Sequence, residues 1–217
     1  MPVGVLCQGY VYVLSAPEIV ALHDRLTTAW HQDPSAGEQS AGQPSLDWLN
    51  AVANQHRANF DLWHIEDEAR APGASDRELA DVKRRVDTTN QRRNDLAEDL
   101  DRTLLAYLDP QRLPNADAPL HSESPGLIID RLSILALKIY HMREEAERAN
   151  APEGHTERNQ DRLAILDEQR SDLAACLEAL WRETLAGTRR FKLYRQLKMY
   201  NDPTLNPAIY RKLGNDR

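Results

Sequence analysis

Apolar side chains recur every three or four positions along most of this chain, a pattern typical of helices that bury one face. The longest such run lies within residues 121–145, where the apolar surface extends nearly all round the predicted helix. The pattern predicts a helix with Ser124 as N-cap and Pro125 at the first helical position, where a missing N–H costs nothing. Because a helix that is apolar on every side needs partners on every side, we expect it at the centre of the fold.

Helix-starting signals and further apolar stripes predict helices on both sides of this run. Ser15 to Glu18 and Ser75 to Glu78 have the Ser-x-x-Glu spacing of a capping box, which satisfies free N–H groups of the first turn. We therefore predict an all-α fold, a bundle of about five to six helices around a long central buried helix. A single helical domain should span residues 15–213, with residues 1–14 as a doubtful N-terminal arm. Apart from the central helix, the predicted helices run from 15 to about 31, 45 to about 70, 75 to 107 and 162 to 184.

Composition supports this fold class and argues against several functions. The 217 residues are 41% apolar and 28% charged, with only 9 glycines and 2 phenylalanines, which favours helix over sheet. A net charge of −7 argues against nonspecific binding to nucleic acid, and no nucleic-acid partner is expected. Two distant cysteines favour a reducing, cytoplasmic location. No segment approaches the roughly 18 consecutive apolar residues of a membrane span.

Four polar residues interrupt the apolar run of the predicted central helix. Asp130 and His141 lie eleven positions apart and therefore within about 20° of each other around a helix. Arg131 and Lys138, seven positions apart, form a second polar row. Because an unpaired buried charge is costly, these rows indicate either a lined pocket or a set of structural or solvent-facing salt bridges.

A second polar interruption lies in the segment NFDLWHIEDEAR, residues 59–70. Trp63, Glu66 and Arg70 share one helix face by their spacing. Asp61 and His64 have the carboxylate-x-x-His spacing used by di-metal helical bundles. Such bundles normally contain a second copy of the motif, which this chain lacks. The spacing therefore allows two interpretations: a metal site at His64 and Asp61, or a solvent-exposed helix face with salt bridges.

A third interruption lies in the helix predicted for residues 75–107. Its stripe is apolar at both ends, but Asn90 and Arg93 occupy core positions in between, with Asp87 one turn earlier. Polar breaks in an otherwise regular stripe often mark functional sites. The structural alternative is a buried Asn and Arg that set the register of the helices.

The connector before the central helix adds two more candidates. His121 and Glu123 lie next to the predicted helix N-terminus, where free backbone N–H groups favour anions. His121 is therefore a candidate general acid or base, although a histidine in a loop is often simply exposed to solvent.

Four separated segments resemble, in the same order, an uncharacterised bacterial all-helical family catalogued as a domain of unknown function. The similarity spans residues 14–210. Members of that family are often encoded beside glycosyltransferases in surface-polysaccharide gene clusters, so the resemblance implies a biosynthetic context without assigning catalytic residues. The segments are NFDLWHIEDEAR, VDTTNQRRNDLAEDLD, HSESPGLIIDRLSILALKIYHM and RQLKMYNDPTLNP.

We predict that the three interruptions converge on one pocket inside the bundle. The abundance of Arg and Lys predicts an anionic small molecule, such as a sugar phosphate, a nucleotide sugar or a carboxylate, as substrate of a biosynthetic enzyme or ligand of a binding protein. The predicted catalytic residues are His121, His141, Glu66 and Glu123. The predicted substrate-binding residues are Trp63, Arg70, Asn90, Arg93, Asp130, Arg131 and Lys138; the candidate metal ligands are His64 and Asp61.

Two other functions fit the same pattern. The protein is a noncatalytic helical partner or scaffold of a glycosyltransferase if the polar rows pair off as salt bridges between helices. We also expect that it can form a homo-oligomer. It is a helical metalloenzyme with a divalent metal if His64, His141 and carboxylates meet at ligand distance. The arrangement of these residues in space discriminates among the three.

Overall fold

The structure, a computed structural model, describes residues 14–35, 44–197 and 204–207, and these form an all-helical bundle. The all-α prediction is confirmed, with the number of helices at the lower end of the predicted range. Most of the predicted N-terminal arm lies outside the described residues, and its last residue, Leu14, is buried in the core. The helices are α1 (Ala16–Gln32), α2 (Pro44–Glu68), α3 (Asp76–Leu108), α4 (Pro125–Ala146) and α5 (His155–Leu185), with a single 3₁₀ turn at Asp109–Gln111.

Helix α4 is the centre of the bundle and contacts each of the other four helices. Ile128, Ile129 and Leu137, which the helical period places on different sides of it, are almost completely buried. Burial of a side chain of this size stabilises a fold by about 1.5–3 kcal/mol. The prediction of a central helix is therefore confirmed, and Asp130 and Ser133 of α4 are held within the core.

The capping residues begin the helices where the sequence predicts. Ser75 and Glu78 form the complete reciprocal capping box at the start of α3, and Ser15 caps α1. Ser124 occupies the N-cap position of α4, but its side chain makes no capping bond. The Gly126 N–H instead donates to Asp101 Oδ1 of α3 at 2.7 Å. A neighbouring helix thus supplies the cap of α4.

Helix α5 begins at His155, seven residues before its predicted start. Gly154 precedes it with a φ of 71°, a conformation that glycine adopts without strain. His155 Nε2 lies 2.9 Å from Glu145 Oε2 of α4, which ties the first turn of α5 to the end of α4. Neither His155 nor Glu145 belongs to the apolar stripe of α5. The stripe alone therefore predicts a helix start later than the observed one.

The residues after α5 hold the connector that leads into α4. Phe191 is buried in the core, and the backbone N–H of Arg190 donates to the Pro119 carbonyl at 3.1 Å. The His121 N–H in turn donates to the Arg190 carbonyl at 2.8 Å. These backbone bonds fix His121 and Glu123 beside α4. Among the helices the structure describes, none combines the length and apolarity needed to cross a lipid bilayer.

Candidate functional site

The polar residues of α4 face two different sides of the bundle. Arg131 and Lys138 line a cleft between α4 and α5. On the other side, Asp130 contacts residues of α2 and α3. His141 contacts residues of α1 and α2. The two polar rows predicted from the helical period are thus separated by α4 itself.

The α4–α5 cleft encloses about 600 Å³. Four of the residues predicted for the site, His121, Glu123, Arg131 and Lys138, lie in its lining. Its volume falls within the usual range for small-molecule sites. The remaining lining residues are Ser122, Ile128, Ile134, Leu135, Gln169, Asp172, Leu173 and Cys176.

The charged groups of the α4–α5 cleft are only partly paired. Arg131 Nη1 donates to both carboxylate oxygens of Glu123, at 2.9 and 2.7 Å. His121 Nδ1 lies 2.8 Å from the Glu123 carbonyl oxygen, which holds the imidazole against the loop backbone. Lys138 is exposed and makes no ion pair with any residue that the structure describes. One ammonium group of the cleft is therefore available to an anion.

A second groove, between α2, α3 and α4, encloses about 390 Å³ and contains four more of the predicted residues, Trp63, Glu66, Arg70 and Arg93. Arg70 donates to the Glu66 carbonyl at 2.6 Å and also lies beside the Glu66 and Asp67 carboxylates. Arg93 is engaged by a carboxylate of α4. Because both cations already have anionic partners, this groove offers little net positive charge. Its lining residues are Asn59, Leu62, Trp63, Glu66, Asp67, Arg70, Arg93, Ile134 and Leu137.

Asp130 lies at the centre of a buried polar network and is only 5% exposed. Its carboxylate accepts bonds from Gln55 Nε2 at 2.5 Å and Asn59 Nδ2 at 2.9 Å. Arg93 donates Nε to one oxygen at 3.0 Å and Nη2 to the other at 2.9 Å. These donors satisfy the carboxylate. Because Gln55 and Asn59 belong to α2 and Arg93 to α3, the network joins both helices to α4.

The network continues towards α1 through a neutral histidine. Asn59 also donates to Ser133 Oγ at 2.9 Å, and His56 Nδ1 lies 2.7 Å from the same hydroxyl. Burial lowers the pKa of His56 to about 3, against the opposing hydrogen bond to the His23 carbonyl. Burial and the adjacent His56 lower the pKa of His23 well below its ordinary value. Both rings are therefore uncharged at neutral pH.

Three further histidines meet where α1, α2 and α4 come together. One ring nitrogen from each of His31, His64 and His141 lies within 4.8 Å of the others. Trp63 stacks on His141 at 4.9 Å between ring centroids, and Tyr140 stacks on His31 at 4.1 Å. Burial lowers the pKa of His31, and the nearby His141 and His64 lower it further. We call these three residues the histidine cluster.

Each imidazole of the histidine cluster is oriented through its Nδ1 atom. His31 Nδ1 lies 2.7 Å from the Thr27 carbonyl oxygen, and His64 Nδ1 lies 2.8 Å from the Phe60 carbonyl oxygen. His141 Nδ1 lies 2.9 Å from Glu144 Oε2. The Nε2 atoms of His31 and His141 are buried and have no hydrogen-bond partner among the described residues.

Most of the residues predicted to line one pocket are thus distributed among the α4–α5 cleft, the α2–α3–α4 groove and the histidine cluster, whereas Asp130 lies in the buried polar network. Asp61, predicted as a metal ligand beside His64, instead pairs with Arg57 at 2.8 Å. Asp87 pairs with Lys83, and Asn90 lines neither concavity.

His31 is the residue that sequence reasoning missed. It lies at the end of α1, far in the sequence from His64 and His141. The only local indication is its position four residues after Thr27, one helical turn from the carbonyl that it contacts. The Gln55, His56 and Asn59 contacts to Asp130 and Ser133 were also missed, since no spacing within one helix indicates them.

Comparison with known proteins identifies the family but no characterised relative. Neither the curated proteins nor the solved structures include a significant match to this chain. The matching family model covers residues 49–193, which includes most of α2 and all of α3, α4 and α5. The chain belongs to the family described as "Protein of unknown function (DUF4254)".

Proposed function

We propose that the protein is a small-molecule biosynthetic enzyme or ligand-binding protein whose ligand, a sugar phosphate or nucleotide sugar, occupies the α4–α5 cleft. One observation carries the proposal: the unpaired Lys138 shares a cleft of about 600 Å³ with His121, Glu123 and Arg131. The resemblance to a family encoded beside glycosyltransferases supports a place in glycan or specialised-metabolite biosynthesis.

The lining of the α4–α5 cleft matches the chemistry of a phosphorylated sugar. Lys138 supplies a positive charge for the phosphate, while Asp172 and Gln169 supply acceptors for sugar hydroxyls. Leu135 and Leu173 provide an apolar surface for the C–H face of the ring. The cleft carries acidic as well as basic residues, which favours a ligand with hydroxyl donors over a simple polyanion.

In the enzyme form of the proposal, His121 transfers a proton. Its Nδ1 contacts the loop backbone, so the ring is held with the other nitrogen available for a ligand. Arg131 orients the Glu123 carboxylate, the proposed partner in catalysis, and is less free to bind the anion than the sequence indicates. Lys138 is therefore the principal anion-binding group.

The proposal is tested by calorimetric titration of the full chain with glucose 1-phosphate and UDP-glucose. Inorganic phosphate and glucose are the component controls. Loss of a charge-assisted hydrogen bond costs about 1.5–3 kcal/mol, so Lys138→Ala should weaken binding by roughly tenfold or more. Lys83→Ala is the matched control, because Lys83 is an exposed lysine of α3 that does not line the cleft.

Two results would overturn the ligand-binding proposal: no binding of either compound to the wild type, or equal affinity of the wild type and Lys138→Ala. Absence of binding would favour the noncatalytic partner of a glycosyltransferase, whereas equal affinity would place the ligand outside the α4–α5 cleft. If the ligand binds, release of glucose, phosphate or UDP decides between enzyme and binding protein. His121→Ala should retain affinity and lose turnover.

A further inference from the structure

We propose that His31, His64 and His141 bind one divalent transition-metal ion, preferentially Zn²⁺, through their Nε2 atoms and leave a coordination position open. The proposal is independent of the α4–α5 cleft, because different residues of α4 form the two sites. It replaces Asp61 with His31 as a partner of His64.

The three side chains come from separate helices and are held by the core of the bundle. Their ring nitrogens already lie within 4.8 Å of one another. Three imidazoles on a tetrahedral zinc ion, with Zn–N distances of about 2.0–2.1 Å, have nitrogens roughly 3.3 Å apart. Metal binding would therefore draw the ligand nitrogens closer together by up to about 1.5 Å.

Hydrogen bonding at Nδ1 selects the tautomer that a metal needs. The carbonyl oxygens of Thr27 and Phe60 only accept hydrogen bonds, so Nδ1 of His31 and of His64 must carry the proton. The Glu144 carboxylate likewise accepts from His141 Nδ1. In each neutral ring the lone pair is then on Nε2. Metal-binding histidines typically donate their second N–H to a carbonyl or carboxylate in this way.

A second observation is the state of the Nε2 atoms themselves. Those of His31 and His141 are buried without a hydrogen-bond partner among the described residues. A buried acceptor left unpaired costs about 1–3 kcal/mol. Two such acceptors side by side would destabilise the fold if the cluster served only to pack the helices together. Coordination to one cation satisfies these lone pairs together.

The donor set indicates which ion and which kind of site. Imidazole ligands suit zinc, copper, iron and nickel rather than magnesium or calcium. Three protein ligands are the pattern of catalytic zinc sites, in which water or substrate takes the fourth position, whereas structural sites use four. Trp63 stacks on His141 and also lines the groove of about 390 Å³. The groove therefore adjoins the histidine cluster through Trp63.

The proposal is tested on untagged full-length protein, stripped with chelator and then equilibrated with Zn²⁺ or Co²⁺. Metal content is measured by mass spectrometry, and the visible spectrum of Co²⁺ reports coordination geometry. The wild type should take up one ion per chain, with the absorption of a tetrahedral or five-coordinate site. His31→Ala, His64→Ala and His141→Ala should each lower metal affinity by at least about tenfold. His155→Ala and His121→Ala, outside the cluster, should retain it.

Circular dichroism confirms the fold of each variant, and His64→Gln, which preserves side-chain size at a half-buried position, replaces any alanine variant that does not fold. A rise in melting temperature with Zn²⁺ in the wild type, absent in His64→Gln, would support the site independently. The proposal is overturned by a wild type without stoichiometric metal, by cluster variants that bind as well as the wild type, or by loss of metal in the two control variants.

Discussion

At the scale of single residues, Asp130 illustrates how a polar residue inside an apolar helix acquires a structural role. Its two oxygens provide about four acceptor sites, and bonds from Gln55, Asn59 and Arg93 occupy them. Little capacity is left for a ligand. The sequence predicts both Asp130 and Arg93 as substrate-binding residues, whereas their contacts indicate that they join helices.

Removing this carboxylate should destabilise the fold strongly. We expect Asp130→Ala to lower the free energy of unfolding by about 3–5 kcal/mol, because it leaves the Arg93 guanidinium and two buried amides without their acceptor. Arg93→Ala should cost less, since the Asp130 carboxylate left behind still accepts hydrogen bonds from Gln55 and Asn59. Urea unfolding measures both changes.

A double variant and a surface control distinguish loss of the Asp130–Arg93 ion pair from nonspecific destabilisation of the fold. Asp130→Ala with Arg93→Ala should cost less than the sum of the single changes, as expected for directly coupled groups. Asp87→Ala, which removes an exposed carboxylate paired with Lys83, should change stability by no more than about 1 kcal/mol. Additive effects of the first two changes would contradict the assigned coupling.

At the scale of helices, α3 and α4 pack closely against each other at Gly126. A Cβ atom added at this position would lie 2.2 Å from the carbonyl oxygen of Ala97 and 3.0 Å from Asp101 Oδ1. The close approach lets the Gly126 N–H reach Asp101, which caps α4. The absence of a side chain at position 126 therefore sets the distance between the two helices.

Gly126→Ala should destabilise the protein, although alanine is normally the better helix former by about 1 kcal/mol. The obstructing atom belongs to the backbone, so one helix must move, and overpacking of this kind typically costs about 1–3 kcal/mol. Thermal and urea unfolding measure the change. Adding Ala97→Gly should give no recovery, because the clash involves the Ala97 carbonyl and not its side chain; a stabilised Gly126→Ala variant would contradict the packing.

At the scale of the whole molecule, buried titratable groups make stability depend on pH in opposing directions. The pKa values of His23 and His56 are lowered on folding from 6.5, that of His56 to about 3. The unfolded state therefore binds more protons below about pH 6.5, and stability falls as the pH falls towards 3. Burial raises the pKa of Asp101 from 3.8 to about 6, so this carboxyl adds stability as the pH falls from 6 to 3.8.

We expect the two histidines to outweigh the single carboxyl, so the wild type should lose stability on acidification below about pH 6.5. Each histidine contributes about 1.4 kcal/mol per pH unit in this range. His23→Leu should reduce the slope of unfolding free energy against pH by about that amount, measured by urea unfolding across the range. His155→Leu, at a half-buried site between α4 and α5, is the control. An unchanged slope in His23→Leu would contradict the lowered pKa of His23.

The local pattern of the sequence predicted the helices well because helix formation depends on neighbouring residues. Capping boxes placed the starts of α1 and α3, and the apolar run placed α4 at the centre. The helical period grouped Asp130 with His141 and Arg131 with Lys138, although both rows were expected to line one pocket and they face different sides of α4. Four of the residues predicted for the site indeed share the α4–α5 cleft.

The contacts between helices could not be obtained in this way. His31, His64 and His141 lie far apart in the sequence and meet only because α1, α2 and α4 pack with particular rotations. Likewise, no local signal links Gly126 to Ala97, or Gln55 to Asp130.

The sequence by itself therefore determined an all-helical fold, the starts of α1, α3 and α4, and the two polar rows of its central helix. The periodicity and capping behind these features are properties of a few consecutive residues. The tertiary structure alone decided which polar residues meet across helices, and so divided the predicted pocket into a cleft, a groove and a histidine cluster. Those meetings depend on the distances and rotations between packed helices, which are set by side-chain packing over the whole core.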